Sequence, residues 1–254
     1  MTVLRERRGA IEIVTINRPE KRNALDPATT AGLGQALLDT EANDGIAALV
    51  ITGAGDKAFS AGMDLASFAK GTQTYEGAAA TRYRSLGRHG ISKPVIAAVN
   101  GSAVGGGFEL MMACDLAIAA DHAMFGIPEV KRGLIAGGGG TLLPMRVPMA
   151  IALELGLTGD LMTAARAYEL GLVNRVVPGA RVLDEALAIA ERIAANGPHA
   201  LRVTKALMYE TLEIPVSQAW ARVDEELVGI RASEDALEGA TAFVEKRTPR
   251  WTQH

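Results

Sequence analysis

A chain of 254 residues with 48% apolar and 22% charged residues can bury a substantial core, which excludes wholesale disorder. Its formal net charge of -3 supplies no general basic field for capturing nucleic acid through phosphates, although a local basic patch remains compatible with it. Segment 1–9 is polar and Arg-rich rather than apolar like a secretory signal, no apolar run reaches membrane-spanning length, and the single Cys114 builds neither a disulfide nor a zinc framework. The expectation is a cytoplasmic protein with no membrane, nucleic-acid or metal partner.

In chain order, Ile11–Ile16 alternates apolar and polar residues and predicts a half-buried strand. A helix is expected over Asp26–Thr40, with Asp26 as N-cap and Pro27 in the first turn. The short apolar runs Ile46–Thr52 and Val95–Val99, stopped by Gly53 and by Asn100-Gly101, predict buried strands. Leu116–Ala119 and Val173–Val177 are further strand candidates. From Arg181 to Asn196 the residues Val182, Leu183, Ala186, Leu187, Ala190, Ile193 and Ala194 fall on one helical face. Asn196-Gly197-Pro198 ends that helix and starts another, running to about Thr211, and two more are expected over Val216–Ile230 and Ser233–Arg247. Strands alternating with helices and then a run of helices give an α/β core, assigned to residues 1–195, with a C-terminal helical section at 196–254. No internal repeat is visible. The apolar faces of such a helical tail suit burial against a neighbouring subunit.

Three glycine clusters interrupt these elements: Ser60-Ala61-Gly62-Met63-Asp64, Gly105-Gly106-Gly107-Phe108-Glu109 and Gly137 to Gly140. The second follows a buried strand and opens a helical pattern, so its unpaired N–H groups can face an anion or a developing oxyanion. A tight turn packing helix on strand is the plainer use of the same glycines. Glu109, one helical turn after Gly106, either shares that pocket, desolvated and with a raised pKa, or simply favours the helix dipole. The first cluster can present the Met63 amide, with Asp64 as a helix cap. Two such amides converging from different strands are what an oxyanion hole requires. Glu129 follows Pro128 at a rigid turn or helix start, and Gly137 to Gly140 before Thr141 read as another helix entry. Phosphate-loop and nucleophile-elbow motifs are missing, and His89, His122, His199 and His254 are too scattered for a metal pair, reading as surface or packing residues. Cys114 reads as a small buried hydrophobe.

The ordered series of motifs resembles the crotonase, or enoyl-CoA hydratase, superfamily over almost the whole chain. It runs from Asn17-Arg18-Pro19 to Asn23-Ala24-Leu25, through Phe59–Leu65 and Asn100-Gly101 to Glu109-Leu110. It continues with Phe125-Gly126-Ile127-Pro128-Glu129, Glu169–Val177 and Glu238–Arg247. The resemblance implies a spiral core of repeated β-β-α turns with a C-terminal helical section, assembled as a homotrimer or homohexamer. It implies an oxyanion hole made by the amides of Met63 and Gly106, and a thioester-binding segment of Met63, Asp64, Leu65 and Ala66. Retaining both Glu109 and Glu129 is the pattern of hydratases, which add water reversibly to a 2-enoyl-CoA to give a 3-hydroxyacyl-CoA. In that reaction Glu109 activates the water and Glu129 supplies the α-carbon proton. No metal or redox cofactor is implied, because coenzyme A belongs to the substrate. Lys246 stands where relatives hold a CoA phosphate, often across a subunit boundary; a solvated lysine is the alternative. Phe243 either walls the acyl site or is a core aromatic. Ala66 replaces a common lysine and Phe108 a small residue, the latter tightening the acyl site or repacking the helix. A dehydratase for a polar acyl-CoA such as carnitinyl-CoA, and a non-catalytic acyl-CoA-binding protein, are the competing readings.

Overall fold

The computed structural model describes residues 1–74 and 76–252, with the His89 side chain also outside the described set; His254 lies beyond it. Among the described residues ten strands form two sheets. The larger has the order β1 (Val3–Arg8), β2 (Ile11–Ile16), β3 (Ala48–Gly53), β5 (Val95–Val99), β7 (Leu116–Ala120), β10 (Arg175–Val177). The smaller has β4 (Ala58–Ser60), β6 (Ser102–Val104), β8 (Met124–Gly126) and β9 (Met162–Thr163). All pairs are parallel except β1 with β2 and β8 with β9.

The two sheets are threaded alternately. β3 leads to β4, then α2 (Leu65–Ala69) and α3 (Gly77–His89); β5 leads to β6 and α4 (Gly106–Ala113). β7 leads to β8, a 3₁₀ turn over Pro128–Arg132, and α5 (Met149–Thr158). This is a β-β-α unit repeated, as the resemblance implies, although no repeat is visible in the residues themselves. The repetition lies in backbone path rather than residue identity, so each turn keeps its own side chains. Because Ala58 pairs with Ser102, and Ala103 with Phe125, the exits of β4, β6 and β8 stack side by side. That stacking positions the candidate site.

Strand β2 is almost wholly buried, not half-buried as its alternation predicts. Helices α1 (Pro27–Ala42) and α7 (Val182–Ala194) both pack against it, and α7 also crosses β3, β5 and β7. The polar residue of the pattern, Glu12, is therefore buried and is satisfied by Arg5 Nε at 2.7 Å. Within residues 1–9, read as a polar stretch, Val3–Arg8 form the edge strand β1, exposed apart from the half-buried Val3. Asp26 caps α1 as expected, accepting from Thr29 N at 2.8 Å. Short apolar strands and Phe108, fully buried edge-on to Phe125 with ring centroids 6.2 Å apart, fill the core. Phe108 thus packs inward rather than shaping the cleft. Cys114 is buried, and burial pushes its thiol well up, leaving it inert.

Helices α6 (Ala164–Glu169), α8 (Pro198–Glu210), α9 (Val216–Ala232) and α10 (Glu234–Glu245) complete the chain. Phe243, 85% exposed, is neither a core residue nor part of the cleft wall in its own chain. Among the described residues no helix is long and apolar enough to cross a membrane, and no cluster of His, Cys, Asp and Glu is arranged to hold a metal ion.

Candidate active site

An open cleft of about 1500 Å³ runs past the stacked exits of β4, β6 and β8. The chain leaves β4 through Ala61-Gly62-Met63, and Leu25 bridges Met63 in parallel fashion. Leu25 N donates to Gly62 O at 2.8 Å, and Asp64 N donates to Leu25 O at 3.1 Å. Gly62 O and Met63 N belong to one planar trans peptide, so tying the carbonyl to Leu25 turns the Met63 N–H the opposite way. That N–H has no partner among the described residues.

The chain leaves β6 through Gly105, whose φ of 58° lets α4 begin at once, with Gly106 in its first turn. Gly106 N is one of the orphan donors of a helix start. A methyl group on Gly106 would lie 3.5 Å from Met63 N, and one on Gly62 would lie 2.6 Å from Gly106 N. The two free amides therefore sit against each other. Sequence reasoning anticipated these donors; the parallel pairing of β4 with β6 is what brings them together.

Glu109, one turn along α4, is only 9% exposed. Its Oε1 accepts from Gly138 N and Gly140 N, both at 2.8 Å. Those bonds fix the carboxylate and leave Oε2 facing the Gly106 side, 3.8 Å from where a Gly106 Cβ would stand. Burial pushes the Glu109 carboxyl above the ordinary range, with the Gly140 and Gly138 amides pulling against it. The Gly137 to Gly140 run was expected only to open a helix. It does precede a 3₁₀ turn over Gly140–Met145, but its amides also hold Glu109. A Cβ at Gly138 would come within 2.6 Å of Glu109 Oε2, which explains why a side chain is missing there.

Glu129 comes from the exit of β8, in the 3₁₀ turn begun by Pro128. Its Oε1 packs against Gly105, 3.0 Å from an ideal Cβ position, and its buried Oε2 has no hydrogen-bond partner. Burial raises this carboxyl; its own backbone N–H opposes the rise, and the charge of Glu109 adds to it. The negative charge of Glu109 thus favours the protonated form of Glu129.

Asp64 and Leu65 also line the cleft. Asp64 caps α2 through Oδ1, accepting from Ala66 N at 3.1 Å and Ser67 N at 3.2 Å. Ala66 and Lys246 are not brought to the cleft of their own chain; Lys246 ends α10 in a left-handed turn. The cleft also carries Lys21, Arg22, Lys57 and His122, none of which sequence reasoning selected. His122, expected to be a surface or packing residue, lies at the cleft with Nε2 2.9 Å from the Asp56 carbonyl oxygen. Lys21, Arg22 and Lys57 supply the local positive charge that the net charge of the chain conceals.

The sequence matches the model of the enoyl-CoA hydratase/isomerase family over residues 6–254. The chain belongs to that family. Among its relatives is a carnitinyl-CoA dehydratase from Salmonella arizonae, 40% identical over 254 residues, covering 98% of this chain and 97% of that protein. A solved enoyl-CoA hydratase from Mycobacterium tuberculosis H37Rv is 47% identical and superposes with a TM-score of 0.92, covering 100% of this chain and 99% of that one. A second, from Mycobacterium marinum, is 46% identical with the same TM-score of 0.92, coverage again 100% and 99%. The spiral β-β-α core with its C-terminal helices is thus the fold of the enoyl-CoA hydratase/isomerase family.

Proposed function

We propose that this chain is a hydro-lyase that adds water reversibly across the double bond of a 2-enoyl-CoA, giving the 3-hydroxyacyl-CoA. The observation that carries this reading is the pairing of two raised carboxyls, Glu109 and Glu129, beside two converging free amides. The amides of Met63 and Gly106 receive the thioester oxygen and stabilise the negative charge that grows there as an enolate forms. Glu109, its Oε1 held by two amides, takes a proton from water through Oε2 as the water oxygen bonds to the β-carbon. Glu129 gives its proton to the α-carbon. Atoms balance: water supplies the hydroxyl, and the proton it loses to Glu109 replaces the one Glu129 has given. No metal or redox cofactor takes part in these steps. Lys21, Arg22 and Lys57 supply charge suited to the CoA phosphates, with Lys246 of a neighbouring subunit as a further contact.

The 39–40% identity to carnitinyl-CoA dehydratases favours a second reading, a polar acyl substrate. A trimethylammonium group is bound by several aromatic faces, and among the described residues that line the cleft only Tyr83 is a Phe, Tyr or Trp. Arg84, Arg88 and Arg132 add positive charge there, so an uncharged enoyl chain fits better. A panel of plain, branched and trimethylammonium-bearing enoyl-CoA esters, with product identification, separates the readings. Turnover confined to the cationic ester would transfer the assignment. Tight binding without turnover of any ester would make the chain a binding protein.

The protonation states that the two roles require predict the pH dependence. Hydration needs Glu109 ionised and Glu129 protonated, and burial raises both groups. The rate therefore climbs as Glu109 loses its proton and falls again as pH rises through the Glu129 ionisation. Both limbs of kcat/KM lie above the ordinary glutamate value of about 4.3. A profile rising to a plateau with no alkaline limb assignable to Glu129 contradicts these roles.

We place the protein in fatty-acid metabolism in the cytoplasm, as a homotrimer or homohexamer. The exposed Met149, Leu153 and Leu157, spaced four apart on α5, and Leu237, Phe243 and Val244 at the C-terminus support assembly. Light scattering on the purified protein tests it; a monomer at working concentration rules it out.

A further inference from the structure

Among the side chains that tie down the loop offering the Met63 amide, Arg18 holds both segments of its bridge from outside the cleft. Arg18 Nη1 donates to Ala24 O at 2.7 Å, and Nη2 donates to Asp64 Oδ2 at 2.9 Å, with Asp26 Oδ2 at 3.3 Å. All three ionic side chains are largely buried. Ala24 immediately precedes Leu25, and Asp64 immediately follows Met63. The guanidinium therefore spans both strands of the Leu25–Met63 bridge, the bridge that turns the Met63 N–H toward the cleft. Asp64 joins the clamp to α2, since its other oxygen caps that helix. Burial raises the Asp64 carboxyl, but Arg18 and the Ser67 and Ala66 amides outweigh it and hold the group below its ordinary range.

We propose that Arg18 is a positioning residue for the oxyanion hole, fixing the direction of the Met63 N–H by clamping Ala24 and Asp64 across the Leu25–Met63 bridge. It touches no reacting atom. Without it, Asp26 and Asp64 are left as neighbouring carboxylates with no cation between them, and their repulsion opens the bridge. Relaxing the bridge lets the Gly62–Met63 peptide rotate, which turns one of the two donors away from the thioester oxygen. A guanidinium suits this task because its fork reaches several acceptors at once, whereas lysine offers a single ammonium.

The inference rests on the hydratase reading for its kinetics, and a second readout keeps the two apart. The thioester carbonyl stretch of a bound 2-enoyl-CoA, followed by isotope-edited Raman spectroscopy in a Glu109→Gln background, reports polarisation by the amides without turnover. The full chain is compared with and without Arg18→Met, alongside Arg18→Lys. Expected for Arg18→Met is a fall in kcat of about 10²-fold, KM nearly unchanged, and loss of most of the carbonyl shift. Arg18→Lys recovers part of both. Should Arg18→Met not fold by circular dichroism, Asp64→Asn serves instead, because it keeps a helix-capping oxygen while removing the charge that Arg18 grips. A full carbonyl shift in folded Arg18→Met overturns the proposal, even if activity falls, and so does the lack of any shift in the Glu109→Gln parent. A shift that depends on Arg18 in a protein that hydrates no ester upholds the clamp and defeats the hydratase reading.

Discussion

Glu109→Gln is expected to lower kcat for hydration of a short 2-enoyl-CoA by about 10²- to 10⁴-fold, the range for losing a positioned general base. Glutamine is nearly isosteric, and its oxygen can still accept from Gly138 N and Gly140 N, so the fold of the Gly137 to Gly140 run is retained. What changes is Oε2, replaced by an NH₂ that cannot take a proton from water. KM should move little, because thioester binding depends on the amides and on the CoA contacts. Glu129→Gln acts in the same direction by removing the proton destined for the α-carbon. The double variant should lose much less than the product of the two single effects, since in the proposed mechanism both carboxyls serve the same addition step. Stopped-flow loss of the conjugated thioester absorbance measures all three. Full activity in both single variants would remove the assigned roles.

Gly62→Ala is expected to cut kcat/KM by about 10²- to 10³-fold, the cost of losing one oxyanion donor. Two effects combine there. Gly62 has φ of 80°, a conformation that residues with a Cβ avoid, and its Cβ would lie 2.6 Å from Gly106 N and 2.8 Å from Val104 O. The methyl group would push apart the two segments whose amides converge. Gly71 separates these effects, for it has φ of 68° but nothing within 4 Å of a Cβ. Gly71→Ala should therefore lose on the order of 1 kcal/mol of stability from backbone strain and leave turnover unchanged. Equal loss of activity in both variants would mean that backbone strain, rather than the oxyanion hole, sets the rate.

Much of this architecture was legible in the sequence for simple reasons. Val95–Val99 is a short, uninterrupted apolar run, and it appears with the expected bounds because a central parallel strand is buried on both faces. Asp26-Pro27 marked a helix start that the structure keeps. Strands β4, β6, β8 and β9 were missed because two or three residues are too few for any period to register. The alternation of Ile11–Ile16 misled because it reports polarity, while burial of β2 depends on helices far along the chain.

At the site, Gly106 and Glu109 were readable as a local pair because one helix carries both. Met63 and Glu129 took their expected roles from family resemblance, since nothing local announces that β4 and β8 flank β6. The partners of Glu109 were hidden for the same reason: Gly138 and Gly140 lie 29 and 31 residues away in the chain. Arg18 was seen only as part of a motif. Its role becomes visible once the segment before α1 is laid against the loop after β4.

Water addition at a thioester-conjugated double bond is tested most directly by labelling the solvent. The purified protein is mixed with 2-butenoyl-CoA in H₂¹⁸O, and in a parallel reaction in D₂O, and the products are resolved by mass spectrometry and NMR. The account predicts 3-hydroxybutyryl-CoA carrying ¹⁸O at the β-carbon in the first solvent and one deuterium at the α-carbon in the second. An ester whose double bond has moved without gaining oxygen, free CoA released by hydrolysis, or unchanged starting ester would contradict it.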